Sequence, residues 1–219
     1  FLYDHIGGRK RLPPARSLTL ATDPAGEPLH PEFSHAFEYS DCWVDDARLV
    51  VLNARDAADR GATILPRHDV TQLQRVDNQW QITAARPDGT TVRFAARALV
   101  NAAGPRVARL LDSSALPRQH AVRLVRGSHM VVPRKYAHDR AYFCQNRDGR
   151  IFFAIPYEGD FTLIGTTDAD HEGSPDTPTA SAAEIDYMCR AASAFFRDPV
   201  TPDQIVWSYA GIRPLVEDG

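Results

Sequence analysis

The chain has 219 residues, of which 43% are hydrophobic and 24% charged, and its formal net charge is −3. This length allows one or two domains with a buried core. The absence of a basic excess argues against nucleic acid as a partner. The sequence contains no run of 18 apolar residues, so no membrane-spanning helix is predicted.

The positions of the cysteines argue against a metal site and against disulfide bonds. Cys42, Cys144 and Cys189 lie far apart and are odd in number. They provide neither a metal-ligand spacing nor a disulfide framework, so we expect free, buried thiols in a reducing compartment. No metal site is predicted.

The first part of the chain predicts loops followed by a helix and a strand. Residues 1–40 are rich in Gly and Pro, which favour turns with short helical or extended pieces. A helix is predicted to begin at Asp45 or Asp46 and to end at Gly61. Residues 62–76 then predict a strand around Pro66, because they contain several β-branched side chains.

The next part predicts a β-hairpin and a short helix. "QWQITAA" and "TVRFAARALVNAAG" flank an Asp88-Gly89 pair, which is a strong turn signal. The second run predicts one strand that continues to Gly104. A short helix is predicted to start at Pro105, since proline suits the first helical position.

The last part predicts an antiparallel sheet with one helix. Four strand-like runs occur within residues 117–170 and are separated by "RDGR" and "EGD" turns. Residues 181–196 predict a helix with a Ser181–Glu184 capping box. Its buried face is predicted to contain Ile185, Met188, Ala192 and Phe195. "IVWSYAGIRPLV" (205–216) predicts a further strand and a turn.

The motif "LVNAAGP" (99–105) allows two interpretations. Ala102, Ala103 and Gly104 leave the backbone open to a large flat or charged group, and the following helix offers N–H groups to an anion. The alternative is a tight turn between a strand and a helix.

Three further positions have both a functional and a structural interpretation. The hydroxyls of Thr166 and Thr167 in "IGTTDAD" can bind phosphate or cap a turn. Arg213 in "GIRPL" suits a phosphate or a carboxylate, or it pairs on the surface with an acid such as Glu217. His129 shares one strand face with apolar residues, which is typical of the core, yet histidine is also the side chain best suited to proton transfer near neutral pH.

Taken in order, the motifs resemble those of a known family. "YDHIGGRKRLP", "FEYSDCWVDDARLV", "LVNAAGP", "RGSHMVVPR", "IFFAIPYEGDFTLIGTTD" and "SYAGIRPLVED" occur in this order in FAD-dependent glycerol-3-phosphate dehydrogenases, the respiratory, flavin-linked enzymes. The resemblance covers nearly the whole chain.

The resemblance implies a mixed fold of the α+β and α/β classes. Residues 41–115 would be the second part of an FAD-binding domain of the amino-acid-oxidase-like type. Residues 1–40 and 116–204 would form an antiparallel-sheet substrate domain, and 205–219 would return toward the FAD-binding domain. The family's Gly-rich loop and C-terminal helical domain have no counterpart here. We therefore expect an internal fragment that is inactive by itself and binds FAD weakly or not at all.

The resemblance also implies a reaction and roles for single residues. In the family, hydride passes from C2 of sn-glycerol 3-phosphate to FAD, dihydroxyacetone phosphate forms, and the electrons pass to quinone. His129 corresponds to the active-site base. Arg213 corresponds to a phosphate-binding arginine, and Thr166 and Thr167 lie near the substrate.

Cofactor contacts and cellular setting follow from the same resemblance. Ala103 and Gly104 correspond to the turn along the FAD, and Val70 to a backbone contact with its adenine end. We expect a cytoplasmic protein in peripheral contact with the inner face of the membrane, and a homodimer is possible.

One departure from the family pattern stands out, and two other functions stay open. Arg106 replaces the tryptophan of the usual "GPW", which changes the packing beside the turn. The alternatives are a related flavin-dependent amine or hydroxy-acid oxidase, in which Arg213 would face a carboxylate, and a non-catalytic sugar-phosphate-binding module.

Overall fold

The computed structural model describes residues 12–114 and 121–217. Within them the chain forms two compact units. Residues 12–40 and 122–217 belong to one unit, and residues 41–114 belong to the other.

The elements follow one another along the chain as a mixture of antiparallel strands and a few helices. The strands are β1 (Arg16–Thr19), β2 (His35–Glu38), β3 (Asp69–Val76), β4 (Gln79–Ala85), β5 (Thr91–Ala96), β6 (Ala121–Pro133), β7 (Tyr142–Gln145), β8 (Ile151–Tyr157), β9 (Phe161–Gly165), β10 (Ala169–Asp170) and β11 (Trp207–Glu217). The helices are α1 (Asp46–Asp59), α2 (Val107–Asp112) and α3 (Ala182–Ser193). None of these three helices of the described chain is long and apolar enough to cross a bilayer.

A six-stranded sheet organises the first unit. Its order is β10-β6-β9-β8-β7, and β11 pairs with β6 as well. The long strand β6 therefore lies against three others. The antiparallel sheet predicted over residues 117–170 is confirmed for the described residues 121–170, but it is a meander only in part. Strands β7, β8 and β9 pair with one another in succession, whereas β6 pairs with β9 rather than with β7.

The core of this unit lies between the sheet and α3. Met130 and Val132 of β6 are fully buried on the side that packs toward α3, and the sulfur of Met130 lies 3.9 Å from that of Cys189. Met188 and Ala192 are buried on the facing helix. Burial of these side chains is the main stabilising contribution to the unit. The predicted capping box of Ser181 and Glu184 is confirmed at the start of α3.

A three-stranded meander, β3-β4-β5, forms the second unit together with α1 and α2. The predicted hairpin turn is confirmed: the Arg86 N–H donates to the Thr90 carbonyl, and Gly89 has φ +82°. Helix α1 begins as predicted, because Asp45 accepts a hydrogen bond from the Arg48 N–H at 3.0 Å. No residue of α1 is buried within the described chain, and its apolar run Leu49–Leu52 is exposed.

Two of the strand boundaries predicted from the sequence are wrong. The strand predicted over 62–76 begins only at Asp69, because Pro66 has no N–H to donate and Arg67 has φ +58°. The strand predicted to reach Gly104 ends at Ala96, which pairs with Trp80 near the start of β4. Beyond that pair, β4 offers almost no further residue for hydrogen bonding.

Two other expectations also need correction, and a third stays a prediction. Gly104–Arg106 form a 3-10 turn, so the α-helix starts at Val107 rather than at Pro105. Residues 207–217 form β11, which pairs with β6 in the first unit, and the return of residues 205–219 toward an FAD-binding domain stays a prediction. Cys144 and Cys189 are buried free thiols, but Cys42 is exposed.

Candidate functional site

Strand β6 presents two different faces to its surroundings. Side chains alternate along a strand, so Ser128, Met130 and Val132 point toward α3. We call this side the helix face. Gly127, His129 and Val131 point to the other side, which we call the His129 face.

His129 lies where β6 pairs with the last residue of β9. Its pairing partner is Gly165, and a Cβ at that position would come within 3.0 Å of three ring atoms of His129. Glycine is therefore the residue that lets the imidazole lie over β9.

An aromatic residue from β11 fixes the plane of the imidazole. The rings of Tyr209 and His129 stack with their centroids 4.9 Å apart and an interplanar angle of 6°. Trp207 lies beyond Tyr209 at a centroid distance of 5.0 Å. Sequence reasoning missed Tyr209, because nothing local indicates which residue of β11 lies opposite His129.

Arg213 is held by the segment that follows β9. Its Nη2 donates to the Thr166 hydroxyl at 2.7 Å and to the Thr167 carbonyl at 3.3 Å, and its Nη1 donates to Asp168. The partner of Arg213 is thus Asp168, not the Glu217 considered from the sequence. The Arg213 side chain is 41% exposed and remains reachable from solvent.

Gly127 allows the guanidinium of Arg213 to approach β6. A Cβ at this position would come within 3.0 Å of both Arg213 Nη2 and the Thr166 hydroxyl. Residues 127 and 129 are on the same face and lie about 7 Å apart along the strand. The structure therefore brings His129, Thr166 and Arg213 together on the His129 face.

Thr167 has a different orientation from Thr166. It is buried, its hydroxyl donates to Glu184 at 2.7 Å, and the same hydroxyl accepts the Ser128 N–H at 3.0 Å. The hydroxyl thus points into the helix side of the sheet, and only the carbonyl faces Arg213. This geometry offers no direct contact from the Thr167 hydroxyl to a substrate.

Glu184 is a buried carboxylate that sequence reasoning treated only as a helix cap. It accepts hydrogen bonds from Ser181, Thr167 and Ser128, and it pairs with Arg126 at 2.8 Å. Burial by itself raises the pKa of Glu184, but the hydrogen bonds from Ser181, Thr167 and Arg126 outweigh it and lower the pKa to about 2. The carboxylate is therefore ionised near neutral pH.

Two of the residues predicted to contact FAD line one cleft in the second unit. The cleft has a volume of about 400 Å³. Its lining residues are His68, Asp69, Val70, Thr71, Ala103, Arg106, Arg109, Leu110 and Ser113. The volume is in the range of small-molecule sites, roughly 300–1,000 Å³.

The turn beside this cleft is shaped by Asn101 and Gly104. The Asn101 side chain accepts the Ala103 N–H at 3.2 Å and donates to the Val107 carbonyl at 3.0 Å. Gly104 has φ +55°, a conformation that favours glycine, but it does not line the cleft. The small side chain of Ala103 and the cationic groups of Arg106 and Arg109 fit a flat nucleotide bearing phosphates. The pair between Arg109 and Asp69, at 3.4 Å, is exposed and weak.

Comparison with known proteins identifies the relatives of this chain. It is 46% identical to a D-erythritol 1-phosphate dehydrogenase of Brucella abortus, 44% to a glycerol-3-phosphate dehydrogenase of Pseudomonas tolaasii, and 41% to the aerobic glycerol-3-phosphate dehydrogenase of Escherichia coli K12. Each alignment covers 100% of this chain but only 42–44% of the relative. The chain thus spans less than half the length of these relatives.

Solved structures give the same relationship. The glycerol-3-phosphate dehydrogenase of Bacillus halodurans, solved with FAD, superposes with a TM-score of 0.78 at 28% identity and covers 93% of this chain and 44% of its own. The L-α-glycerophosphate oxidase of Mycoplasma pneumoniae, also with FAD bound, shares the fold with a TM-score of 0.71 at 17% identity, over 93% of this chain and 54% of its own.

The resemblance that the sequence motifs indicated is confirmed by these relatives, as is the predicted fold class. The family model for FAD dependent oxidoreductases matches residues 3–219. A match over almost the whole length, with FAD-bound neighbours of the same fold, means that this chain belongs to the FAD dependent oxidoreductase family.

Proposed function

We propose that this chain is part of a flavoenzyme that oxidises sn-glycerol 3-phosphate at C2 to dihydroxyacetone phosphate. The observation that carries the proposal is the position of Arg213 beside His129. A cation that suits a phosphate and an imidazole that suits proton transfer lie together on the His129 face. Oxidation of sn-glycerol 3-phosphate requires both, one to bind the phosphate and the other to accept the proton of the hydroxyl group.

Each residue of this site has a distinct task in the proposal. Arg213 binds the substrate phosphate, and Thr166 keeps the guanidinium in place. His129 accepts the proton of the C2 hydroxyl, and its stacking on Tyr209 holds the imidazole plane during that transfer. FAD, when bound, accepts the hydride from C2.

The two compact units divide the work in this proposal. The unit of residues 41–114 contributes to the cofactor site through the cleft that Val70 and Ala103 line, with Gly104 shaping the adjacent turn. Residues 12–40 and 122–217 form the substrate side, which contains His129, Thr166 and Arg213. A Gly-rich pyrophosphate loop and further cationic substrate contacts would come from polypeptide outside this chain.

The electron acceptor and the cellular setting form a further part of the proposal. We propose quinone as the acceptor, a cytoplasmic location with peripheral contact to the inner face of the membrane, and a homodimer. The resemblance to respiratory enzymes supports this part. Reduction of a short-chain ubiquinone analogue, compared with oxygen consumption by the same holoenzyme, tests it; a faster reaction with oxygen would contradict it.

A second candidate substrate is D-erythritol 1-phosphate. A relative with that name is 46% identical to this chain, slightly more than the glycerol-3-phosphate dehydrogenases reported above. Both compounds carry a phosphate and a secondary hydroxyl, so both suit Arg213 and His129. The difference between them lies in one additional hydroxylated carbon.

Anaerobic flavin reduction tests the proposal. The complete coding sequence is expressed and loaded with FAD, and the visible flavin band is followed after addition of each polyol phosphate without oxygen. Bleaching by sn-glycerol 3-phosphate, and not by glycerol or glycine, supports the proposal. Faster bleaching by D-erythritol 1-phosphate would instead assign the second substrate.

Two other outcomes assign the functions left open by the sequence. Bleaching by an amine or a hydroxy acid alone would indicate the related oxidases. A protein that binds sugar phosphates but is not reduced by any of them would indicate a binding module.

A further inference from the structure

Glu184 lies where three parts of the first unit meet. Its side chain is 9% exposed and belongs to the first turn of α3. Oxygen Oε2 accepts from the hydroxyl and the N–H of Ser181, at 2.6 and 3.0 Å, and pairs with Arg126 of β6. Oxygen Oε1 is used differently, because it accepts from Ser128 and Thr167, at 2.9 and 2.7 Å.

The two oxygens therefore serve two purposes. Capping α3 needs only Oε2 and Ser181. The bonds of Oε1 add nothing to the helix end; they tie the fully buried hydroxyl of Ser128, on β6, to the segment that follows β9. Ser128 strengthens the same link, since its N–H donates to the Thr167 hydroxyl at 3.0 Å.

The segment that Glu184 holds is the one that aligns Arg213. Arg213 contacts three successive residues, Thr166, Thr167 and Asp168. Thr166 is only half-buried and Asp168 is exposed, whereas Thr167 is 3% exposed. Thr167 is thus the anchored member of the three, and its anchors are Glu184 and Ser128.

We infer that Glu184 is a positioning residue of the phosphate site: through Thr167 it fixes residues 166–168 and thereby the direction in which Arg213 points. The inference rests on the proposed function, because it takes Arg213 as the phosphate-binding group. Charged hydrogen bonds are short and directional, so an ionised carboxylate at this position limits the movement of the segment more than a neutral group does.

The test uses four variants of the FAD-loaded holoenzyme: two disruptive ones, one conservative one and one control. Glu184→Gln keeps the size of the side chain and the capping geometry but removes the charge. Thr167→Val removes the hydroxyl that Glu184 binds, and Thr167→Ser retains it. Asp186→Asn is the matched control, because Asp186 is an exposed carboxylate on the same helix that pairs with Arg190.

Binding of inorganic phosphate is the first measurement, by competition against the substrate and by direct titration. We expect Glu184→Gln and Thr167→Val to weaken phosphate binding about tenfold and to raise KM similarly, with kcat changed less than about threefold. Thr167→Ser and Asp186→Asn should stay within about twofold of the unaltered enzyme. Phosphate affinity within about twofold of that enzyme in both folded disruptive variants would overturn the inference.

A double-mutant cycle with Arg213→Lys separates positioning from a general loss of stability. If Glu184 acts through Arg213, the effect of Glu184→Gln on phosphate binding should fall to less than about twofold in the Arg213→Lys background. Equal effects in both backgrounds would contradict the inference.

The measurement also separates this inference from the proposed function. If sn-glycerol 3-phosphate does not reduce the flavin, the proposed reaction fails, but phosphate binding still reports on Glu184. If the unaltered holoenzyme binds no phosphate, the inference itself is overturned.

Discussion

The two faces of β6 share one backbone but place different limits on their residues. On the helix face, Met130 and Val132 are fully buried against α3, and the polar Ser128 is tolerated because Glu184 accepts its hydroxyl. On the His129 face, Gly127 and the facing Gly165 of β9 are small because Arg213 and His129 occupy the space beside them. Large side chains are therefore needed at Met130 and Val132 and are excluded at Gly127 and Gly165.

The comparison teaches that alternation separates stability from chemistry within a single strand. A change at the apolar positions of the helix face, Met130 and Val132, should mainly alter the free energy of unfolding, whereas a change at Gly127 or His129 should mainly alter kinetics. The predictions below test that separation in the FAD-loaded holoenzyme.

Replacing the imidazole on the His129 face should have the largest effect. We expect His129→Ala to lower the rate of flavin reduction by about 10²–10⁴-fold, because general-base catalysis contributes that much. KM should change little, since Arg213 retains the phosphate. His35→Ala is the control, because His35 is exposed on β2. An unchanged rate in His129→Ala would remove His129 from the reaction.

Truncation on the helix face should reduce stability and leave kinetics intact. We expect Met130→Ala to lower the free energy of unfolding by about 2–5 kcal/mol, because it removes a fully buried side chain and leaves a cavity. Urea unfolding measures the change, and Met130→Leu should cost less than about 1.5 kcal/mol. A large loss of kcat in folded Met130→Ala would contradict the separation of the two faces.

Acid should destabilise the protein by protonating Glu184, the carboxylate that accepts the Ser128 hydroxyl on the helix face. The pKa of Glu184 is about 2, below its usual value of 4.5. The contribution of ionised Glu184 to the free energy of unfolding is therefore complete above pH 4.5 and is lost as the pH falls toward 2. At about 1.36 kcal/mol per unit, it amounts to roughly 3 kcal/mol.

Denaturation curves between about pH 6 and pH 2 measure this contribution. Because the glutamine introduced by Glu184→Gln cannot ionise, this variant should lose less stability than the unaltered protein over this range. Parallel losses in both proteins would contradict the assignment of a lowered pKa to Glu184.

The smallest effect is expected from a single added methyl group on the His129 face. Gly127→Ala places a Cβ within 3.0 Å of Arg213 Nη2, so the guanidinium must move. We expect KM to rise about tenfold, or about 1.4 kcal/mol, with a smaller change in kcat.

The control for this variant is Gly211→Ala in β11, where a Cβ would meet no atom within 4 Å. A normal KM in Gly127→Ala would show that Arg213 does not need its position beside β6.

Much of the local structure was predictable because it depends on neighbours in the sequence. The cap of α1 at Asp45, the capping box of α3 and the Asp88-Gly89 turn all involve residues within about four positions of one another. The predicted buried face of α3 is confirmed at Met188 and Ala192, which are buried, and at Ile185, which packs against the core. Phe195 also packs against the core but lies beyond the end of α3 at Ser193.

The errors occurred where a strand needs a partner as well as a propensity. Residues 62–68 contain β-branched side chains, yet Arg67 adopts a left-handed conformation after Pro66. Residues 98–100 are apolar and were predicted to continue the strand, but β5 ends where its partner β4 begins. Strand propensity depends on pairing and burial and does not by itself determine the length of a strand.

The sequence by itself determined that His129 shares a strand face with Gly127 and that Glu184 caps a helix. The first follows from the two-residue period of a strand, and the second from the three-residue spacing of Ser181 and Glu184 in a capping box. Only the tertiary structure decided that α3 covers the opposite face, that Tyr209 stacks on His129, and that Arg213 pairs with Asp168. Those contacts join residues 45 to 80 positions apart. They depend on which strands pair and in which register, and no local pattern contains that information.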